Sequence, residues 1–408
     1  MKVMVINCGS SSLKFKLFDM DKSNVLLCEG MVDSIGKDKA KLICKSPKMK
    51  KDEKYEKDVK ADNHTSAVEL VAKALSDPKS GIYDGSLTVD AVGHRVVHGG
   101  EKFSKSALIT KGVKEVIRDC FEIAPLHNPP NYAGIEACEA IFPGVPQVAV
   151  FDTAFHQTMP KQAYIYGLPY ELYERYHIRK YGFHGTSHEY VSKRAAEILE
   201  KDLKDINMVT CHLGNGSSMA AIKNGQSYDT SMGFTPLEGL LMGTRTGDMD
   251  PAVVTFLMKK EHMNVDEMDN LMNKKSGFMG ISGISNDLRE IIEAAEHDNS
   301  RAKFTIDIFC YRITKYIGAY AAVMGGLDAV VFTGGIGENA SNIRSKALEP
   351  LKFLGVNIDE EKNSSKEKEK IITKANSKVK VLVVPTNEEL MIAMKTKYVV
   401  EESHNIYR

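Results

Sequence analysis

The chain of 408 residues has no surplus charge, since 54 lysines and arginines balance 54 aspartates and glutamates. No overall field draws it to nucleic acid or an anionic membrane, so any anion must be held by local groups. Cysteine is sparse: Cys8, Cys28, Cys44, Cys120, Cys138, Cys211 and Cys310 are odd in number and never form a C-x-x-C pair. That argues against a disulfide framework and a zinc ribbon, and a reducing cytoplasm is the expected location. No apolar run is long enough to span a bilayer, and the opening residues lack the apolar core and cleavage site of a signal peptide. There is no Walker A sequence and no G-x-S-x-G elbow. His184 and His188 have helical spacing, but the glutamate of an H-E-x-x-H zinc motif is missing.

What is present reads as an ordinary globular protein, 43% hydrophobic and 26% charged. The length exceeds what one core usually supports, so two domains are expected. In "MVINCGSSSLKFKLFD" a strand breaks into a small polar turn and resumes with alternation that sends Leu13, Phe15 and Leu17 to one face and Ser12, Lys14 and Lys16 to the other. Small residues followed by a lysine suit an approaching phosphate. "MVTCHLGNGSSMAAIKNG" at 208–225 repeats this strand, turn, strand plan half a chain later, which suggests two similar α/β halves. Strands are expected near 2–6, 12–18, 25–30, 147–151 and 379–385, and helices near 64–75, 111–122 and 301–324 and from about Asn387. The lysine-rich stretches "KMKKDEKYEKDVK" and "EEKNSSKEKEK" read as solvated hairpin or loop, and His64, His262 and His404 as surface residues.

Several segments hold candidate chemistry. In "AVVFTGGIGENA" a buried strand enters a glycine turn that formally satisfies a dinucleotide fingerprint, with Asp359 and Glu360 about twenty residues on. The physics of such a turn, amides and a helix N-terminus facing phosphate, serves ATP as well as a nicotinamide cofactor. "GHRVVHGG" contributes Arg95, "FDTAFHQTMP" puts Asp152 at a strand end, "YGFHGTSH" carries His184, and "EGLLMGTRTGDMDP" carries Arg245. Prolines fix the backbone around His127 in "PLHNPPN".

Taken in order and spacing, "NCGSSSLKF", "GHRVVHGG", "FDTAFHQTMP", "YGFHGTSH", "CHLGNGSS", "GGIGEN" and "VPTNEE" resemble the acetate kinase family along essentially the whole chain. The resemblance implies an α/β, two-domain, duplicated ribonuclease-H-like fold of the actin-like ATPase kind with a cleft between the lobes. One lobe would be 1–152 plus 386–408 and the other 153–385. It implies reversible transfer of the ATP γ-phosphoryl group to acetate, with magnesium or manganese as cofactor, no nucleic-acid or membrane partner, and a homodimer. By the same resemblance Arg95 positions the carboxylate, and His184, Arg245 and His127 stabilise the moving phosphoryl group. Asp152 orients arginine or magnesium. Val97, Leu126, Phe183 and Pro236 form a methyl pocket. Ser10, Ser12 and Lys14 would contact the triphosphate, and Asn7 and Glu388 would hold the metal. The nucleotide stretches would be His212, Leu213, Gly214, Asn215 and Gly216, then Asp287, Leu288 and Arg289, then Gly335, Ile336, Gly337, Glu338 and Asn339.

The charge problem of that reaction is definite. Two like charges about 4 Å apart cost roughly 4 kcal/mol at an effective dielectric near 20, so cations must line the site. The alternatives are a propionate or butyrate kinase, a non-enzymatic actin-like ATPase, and a nicotinamide oxidoreductase, the last of which leaves the Ser10 to Lys14 turn unexplained.

Overall fold

The structure, a computed structural model, describes residues 1–50, 53–77, 80, 82 and 88–406. The chain divides into two compact units, Met1–Phe155 joined by the stretch from Asn387 onward, and His156–Thr386.

The first unit is built on strands β1 (Lys2–Cys8), β2 (Ser12–Asp19), β3 (Val25–Asp33), β4 (Ala40–Lys45), β5 (Tyr55–Val59), β6 (Ala91–Val96), β7 (Ala107–Leu108) and β8 (Gln147–Phe151). They form one sheet in the order β5-β4-β3-β2-β1-β6-β8-β7. β1 to β5 pair antiparallel, while β6 lies parallel to both β1 and β8. The alternation in β2 holds: Leu13, Phe15 and Leu17 are buried in a cluster with Val68, Val71 and Ala137. Alternation sends Phe18 to the opposite face, where the helix Glu388–Ile406 covers Val3, Val5, Phe18 and Val150 through Ile392 and Ala393, and the register shift beside it leaves the extra residue on β3. The last helix of the chain is thus part of the first unit, and it brings Glu388 to the same sheet as Arg95.

The second unit repeats the plan with β9 (Met208–Leu213), β10 (Ser217–Lys223), β11 (Gln226–Thr230), β12 (Ala329–Thr333), β13 (Lys370–Ile371) and β14 (Lys380–Val383), ordered β11-β10-β9-β12-β14-β13. Its run β11-β10-β9-β12-β14 has the same order and sense of pairing as β3-β2-β1-β6-β8. The repeat at 208–225 was the visible trace of this duplication. One core stretches from Val209 and Val330 to the 25-residue helix Ser300–Met324 through Phe309, Ile313 and Ile317.

Some local expectations needed revision. The helix at 111–122 ends at Asp119, where Cys120 caps it and a turn follows. Within "EEKNSSKEKEK" Asn363 and Lys370 are buried, because Asn363 accepts from the Arg344 guanidinium and Lys370 donates to the carbonyls of Asn363 and Ser365. In "KMKKDEKYEKDVK" residues 51 and 52 lie outside the described residues, and Tyr55–Val59 is the edge strand β5. His64 is half-buried, its Nε2 donating to the Gly9 carbonyl at 2.8 Å. His262 is exposed, as expected, and the His404 side chain is outside what is described.

Candidate active site

In the first unit the chemistry gathers at the C-terminal ends of β1, β6 and β8, where an open parallel arrangement leaves strand ends uncovered. Arg95 on β6 and Asp152, the residue after β8, meet in a two-pronged pair: Nε at 3.1 Å from Oδ1 and Nη2 at 2.5 Å from Oδ2. Glu388 approaches the same guanidinium at 3.8 Å. Burial and the neighbouring carboxylates Asp152 and Glu389 raise Glu388 to about 7 against the pull of Arg95 and Lys14. Asn7 lies one residue beyond Ile6, which is in register with His94, and it faces Lys14 across the β1–β2 pair.

The turn between β1 and β2 is held at three points. Gly9 N donates to Ser12 O at 2.8 Å, Ile35 N donates to Ser11 O at 2.9 Å, and His64 holds Gly9 O. Ser10 and Lys14 remain exposed. His127 caps the helix Asn128–Ile141 from a backbone position, with prolines following it. Asn128 and Asn131 donate to His98 O and Cys8 O and accept the amides of His98 and Val97, which locks the strand end that follows Arg95. Those two asparagines carry no pattern that sequence reading would single out.

In the second unit His184 adopts a left-handed backbone, φ 56°, ahead of the helix Gly185–Ile198. Its Nδ1 meets Ser218 Oγ at 2.9 Å, the same hydroxyl meets His188 Nε2 at 2.7 Å, and His188 Nδ1 meets Thr210 Oγ1 at 2.7 Å. His212 stacks on His184 with ring centroids 4.3 Å apart. Burial drives His188 well below the ordinary histidine range and His156 down to about 4, so both are neutral supports. Arg245 donates to Pro236 O at 3.1 Å, and among the described residues no carboxylate lies within ion-pair distance of it. Desolvation lowers its affinity for its proton, though an arginine stays charged. A Cβ placed on Gly216 would stand 3.6 Å from His184 Nε2 and 3.8 Å from Arg245 Nη1, so both groups reach the same point over a glycine.

A groove of about 860 Å³ opens beside this point, lined by Gly214, Asn215, Asp287, Leu288, Arg289, Gly335, Ile336 and Asn339, together with Asn286, Ile292, Glu296 and Asn342. Three sequence stretches far apart in the chain thus share one wall. His212, Leu213, Gly216, Gly337 and Glu338 do not line it, and Leu213 belongs to the core. The glycine turn is also closed from within: Glu338 accepts Gly334 N at 2.9 Å and Thr386 N at 3.2 Å. Gly334 is required there, with φ 76° and a Cβ that would lie 2.7 Å from Leu213 O. Asp359 caps the helix Glu360–Ser364 and Glu360 bonds Ser345 and Asn363, so neither acid lines the groove where a nicotinamide ribose would need it. Asp287 and Arg289 pair with one another.

Of the apolar candidates, Val97 and Phe183 are buried, Pro236 is half-buried, and Leu126 is 62% exposed, which rules out a packed core role for it.

The sequence model of the Acetokinase family matches residues 2–394. The chain belongs to the acetokinase family. It is 56% identical over 404 residues to the acetate kinase of Caldicellulosiruptor saccharolyticus, covering 98% of this chain and 100% of that one. It is 55% identical over 396 residues to the acetate kinase of Clostridioides difficile, covering 97% and 99%. Among solved structures, Porphyromonas gingivalis acetate kinase superposes with a TM-score of 0.93 at 49% identity, covering 98% and 99% of the two chains. A propionate kinase from Francisella tularensis gives 0.89 at 44% identity over the same shares. Among the described residues no helix is long and apolar enough to cross a membrane.

Proposed function

We propose that the protein transfers the γ-phosphoryl group of ATP reversibly to acetate, giving acetyl phosphate and ADP by direct in-line displacement. The observation that carries this reading is the 56% identity, over 98% of the chain, to a relative named acetate kinase. The two arginines fit the chemistry in complementary ways. Arg95, aimed by Asp152, keeps a planar fork for a carboxylate. Arg245 has no counter-ion among the described residues and stands to gain from an arriving phosphoryl oxygen, because a desolvated charge is costly until paired. His184 reaches the same point over Gly216 and shares that task, with His127 assigned to help. Acetate attacks as a carboxylate with no proton to lose, so no general base is needed and Asp152 serves as the orienter of Arg95.

Magnesium suits the donors near Glu388. That ion prefers hard oxygens, keeps much of its water and needs only one or two protein ligands besides phosphate. Burial, and after it the neighbouring Asp152 and Glu389, push Glu388 up against the pull of Arg95, and a bound cation would favour its charged form. Glu388 and Asn7 would hold the ion, partly through water, and manganese should substitute. When bound it would neutralise charge on the nucleotide's phosphates. Ser10, Ser12 and Lys14 would contact the triphosphate, and the 860 Å³ groove would take the nucleoside.

A second copy of the chain is the proposed partner. The helix Ala252–Lys260 has no buried residue and exposes Val253 and Phe256, and Val265, Phe304 and Tyr311 are exposed in the same unit. Seven buried free cysteines suit a reducing cytoplasm.

A second reading, propionate kinase, is favoured by the Francisella structure. One methylene changes binding by only about 1–3 kcal/mol, so propionate should serve as a slower substrate in either case. The test is to trap acyl phosphate with hydroxylamine after incubation with ATP, magnesium and acetate, propionate or butyrate. The highest kcat/KM is expected for acetate; a preference for the four-carbon acid would overturn the assignment.

A further inference from the structure

The segment Gly239–Asp248 carries Arg245, and its two ends are tied to each other. Gly239 N donates to Asp248 Oδ1 at 2.8 Å and Asp248 N returns a bond to Gly239 O at 2.9 Å. Its inner side is stitched to the helix Gly277–Ser282, with Phe278 N on Met242 O at 2.8 Å and Met279 N on Gly243 O at 3.0 Å. Gly277 permits this approach, since a Cβ there would stand 2.8 Å from Arg245 N.

The far side of the loop is clasped by two residues one turn apart on the helix Ser300–Met324. Arg312 Nη1 donates to Thr246 O at 2.8 Å and Nη2 donates to Asp248 O at 2.9 Å. Tyr316 Oη donates to Asp248 Oδ2 at 2.7 Å. No carboxylate among the described residues forms an ion pair with Arg312, so its fork is committed to two carbonyls, one of them next to Arg245 in sequence. Gly247 between them has φ 64°, and a Cβ on it would press within 2.6 Å of Arg312 Nη1 and 2.3 Å of Leu240 O. A flexible single-point cation could not span both carbonyls, whereas a rigid guanidinium can.

We propose that Arg312 and Tyr316 are positioning residues that set the Arg245 guanidinium for phosphoryl transfer. This rests on the reading of Arg245 as the phosphoryl-binding arginine. Arg312 and Tyr316 fix the Thr246–Asp248 side of a loop already tied at its ends and along its inner side, and a displacement of about 1 Å at a reacting group can cost two orders of magnitude in rate.

The experiment measures kcat, KM for ATP and acetate, and thermal midpoint for Arg312→Met, Arg312→Lys, Tyr316→Phe and Arg245→Lys, and for Arg312→Met combined with Arg245→Lys. Arg312→Met should lower kcat by about tenfold or more while KM for ATP stays within about twofold. Arg312→Lys should recover little. Tyr316→Phe, which keeps the ring and the fold, should lose about threefold to tenfold in kcat. In the Arg245→Lys background Arg312→Met should cost almost nothing further, because the two act through one group. In one further variant, Arg312→Ala, added guanidinium ion should restore turnover. Unchanged kcat in both Arg312→Met and Tyr316→Phe, or losses fully additive with Arg245→Lys, would overturn the inference. Wild-type turnover by Arg245→Lys would instead overturn the underlying reading, so the two failures are distinguishable.

Discussion

Asp152 receives the Arg95 guanidinium on both carboxylate oxygens, while its own side chain is only 2% exposed. A fork held at two points cannot rotate about its last bond, so the outer edge of the guanidinium keeps a fixed direction.

Asp152→Asn tests that relationship. The amide keeps the volume but removes the charge, and losing one partner of a buried ion pair costs about 3–5 kcal/mol. We expect kcat/KM for acetate to fall by about a hundredfold or more with a lower melting temperature, and Asp152→Glu to retain more activity than Asp152→Asn. Steady-state kinetics beside thermal melts check this, and unchanged acetate kinetics in Asp152→Asn would contradict it.

The histidine relay makes a second prediction. Thr210 donates its hydroxyl to Ala220 O at 3.5 Å, so it accepts from His188 Nδ1; His188 Nε2 then accepts from Ser218, and Ser218 accepts from His184 Nδ1. The order fixes the His184 ring. Ser218→Ala removes the bond that orients the His184 ring, worth about 0.5–1.5 kcal/mol, so kcat should drop about twofold to tenfold with KM for ATP little changed. A shift confined to KM for ATP would refute the relay.

Acid stability gives a third. His156 is held by Ser227 and the Phe183 carbonyl, and burial lowers it to about 4 against an ordinary 6.5. His188, lowered further by burial and by His156, acts in the same sense. A depressed histidine means that the unfolded chain binds more protons, so stability is full above about pH 6.5 and is lost as the pH falls toward 4. The His156 contribution is about 3 kcal/mol across that window. Denaturant midpoints between pH 4 and pH 8 should fall on the acid side, and His156→Gln should flatten the fall. An identical slope in His156→Gln would count against the assignment.

Much of this was legible in the chain. Period-two alternation marked β2, and the second strand-turn-strand segment marked the duplicated sheet, because each half must bury the same face of the same unit. Arg95, Asp152 and Arg245 could be singled out as candidates because charged residues in glycine-rich or strand-end settings have few structural excuses. The supporting groups were not. Asn128, Asn131, Ser218 and Arg312 act through hydrogen bonds to residues distant in sequence, and polar residues of this kind look alike on a helix or a strand. His64 read as surface for the same reason: its partner, the Gly9 carbonyl, is 55 residues away. The glycine turn was legible in part: Gly335, Ile336 and Asn339 line the groove, but the sequence does not show that the Glu338 carboxylate folds back on Gly334 N.

The most direct measurement pairs two readouts on Arg245→Ala: acetyl phosphate trapped with hydroxylamine, and nucleotide affinity by titration with a non-hydrolysable ATP analogue. The account predicts that trapped product falls by about a thousandfold while analogue affinity stays within a few-fold of the unsubstituted protein, because this guanidinium binds the group in flight rather than the nucleoside. Product formation at the original rate would contradict it.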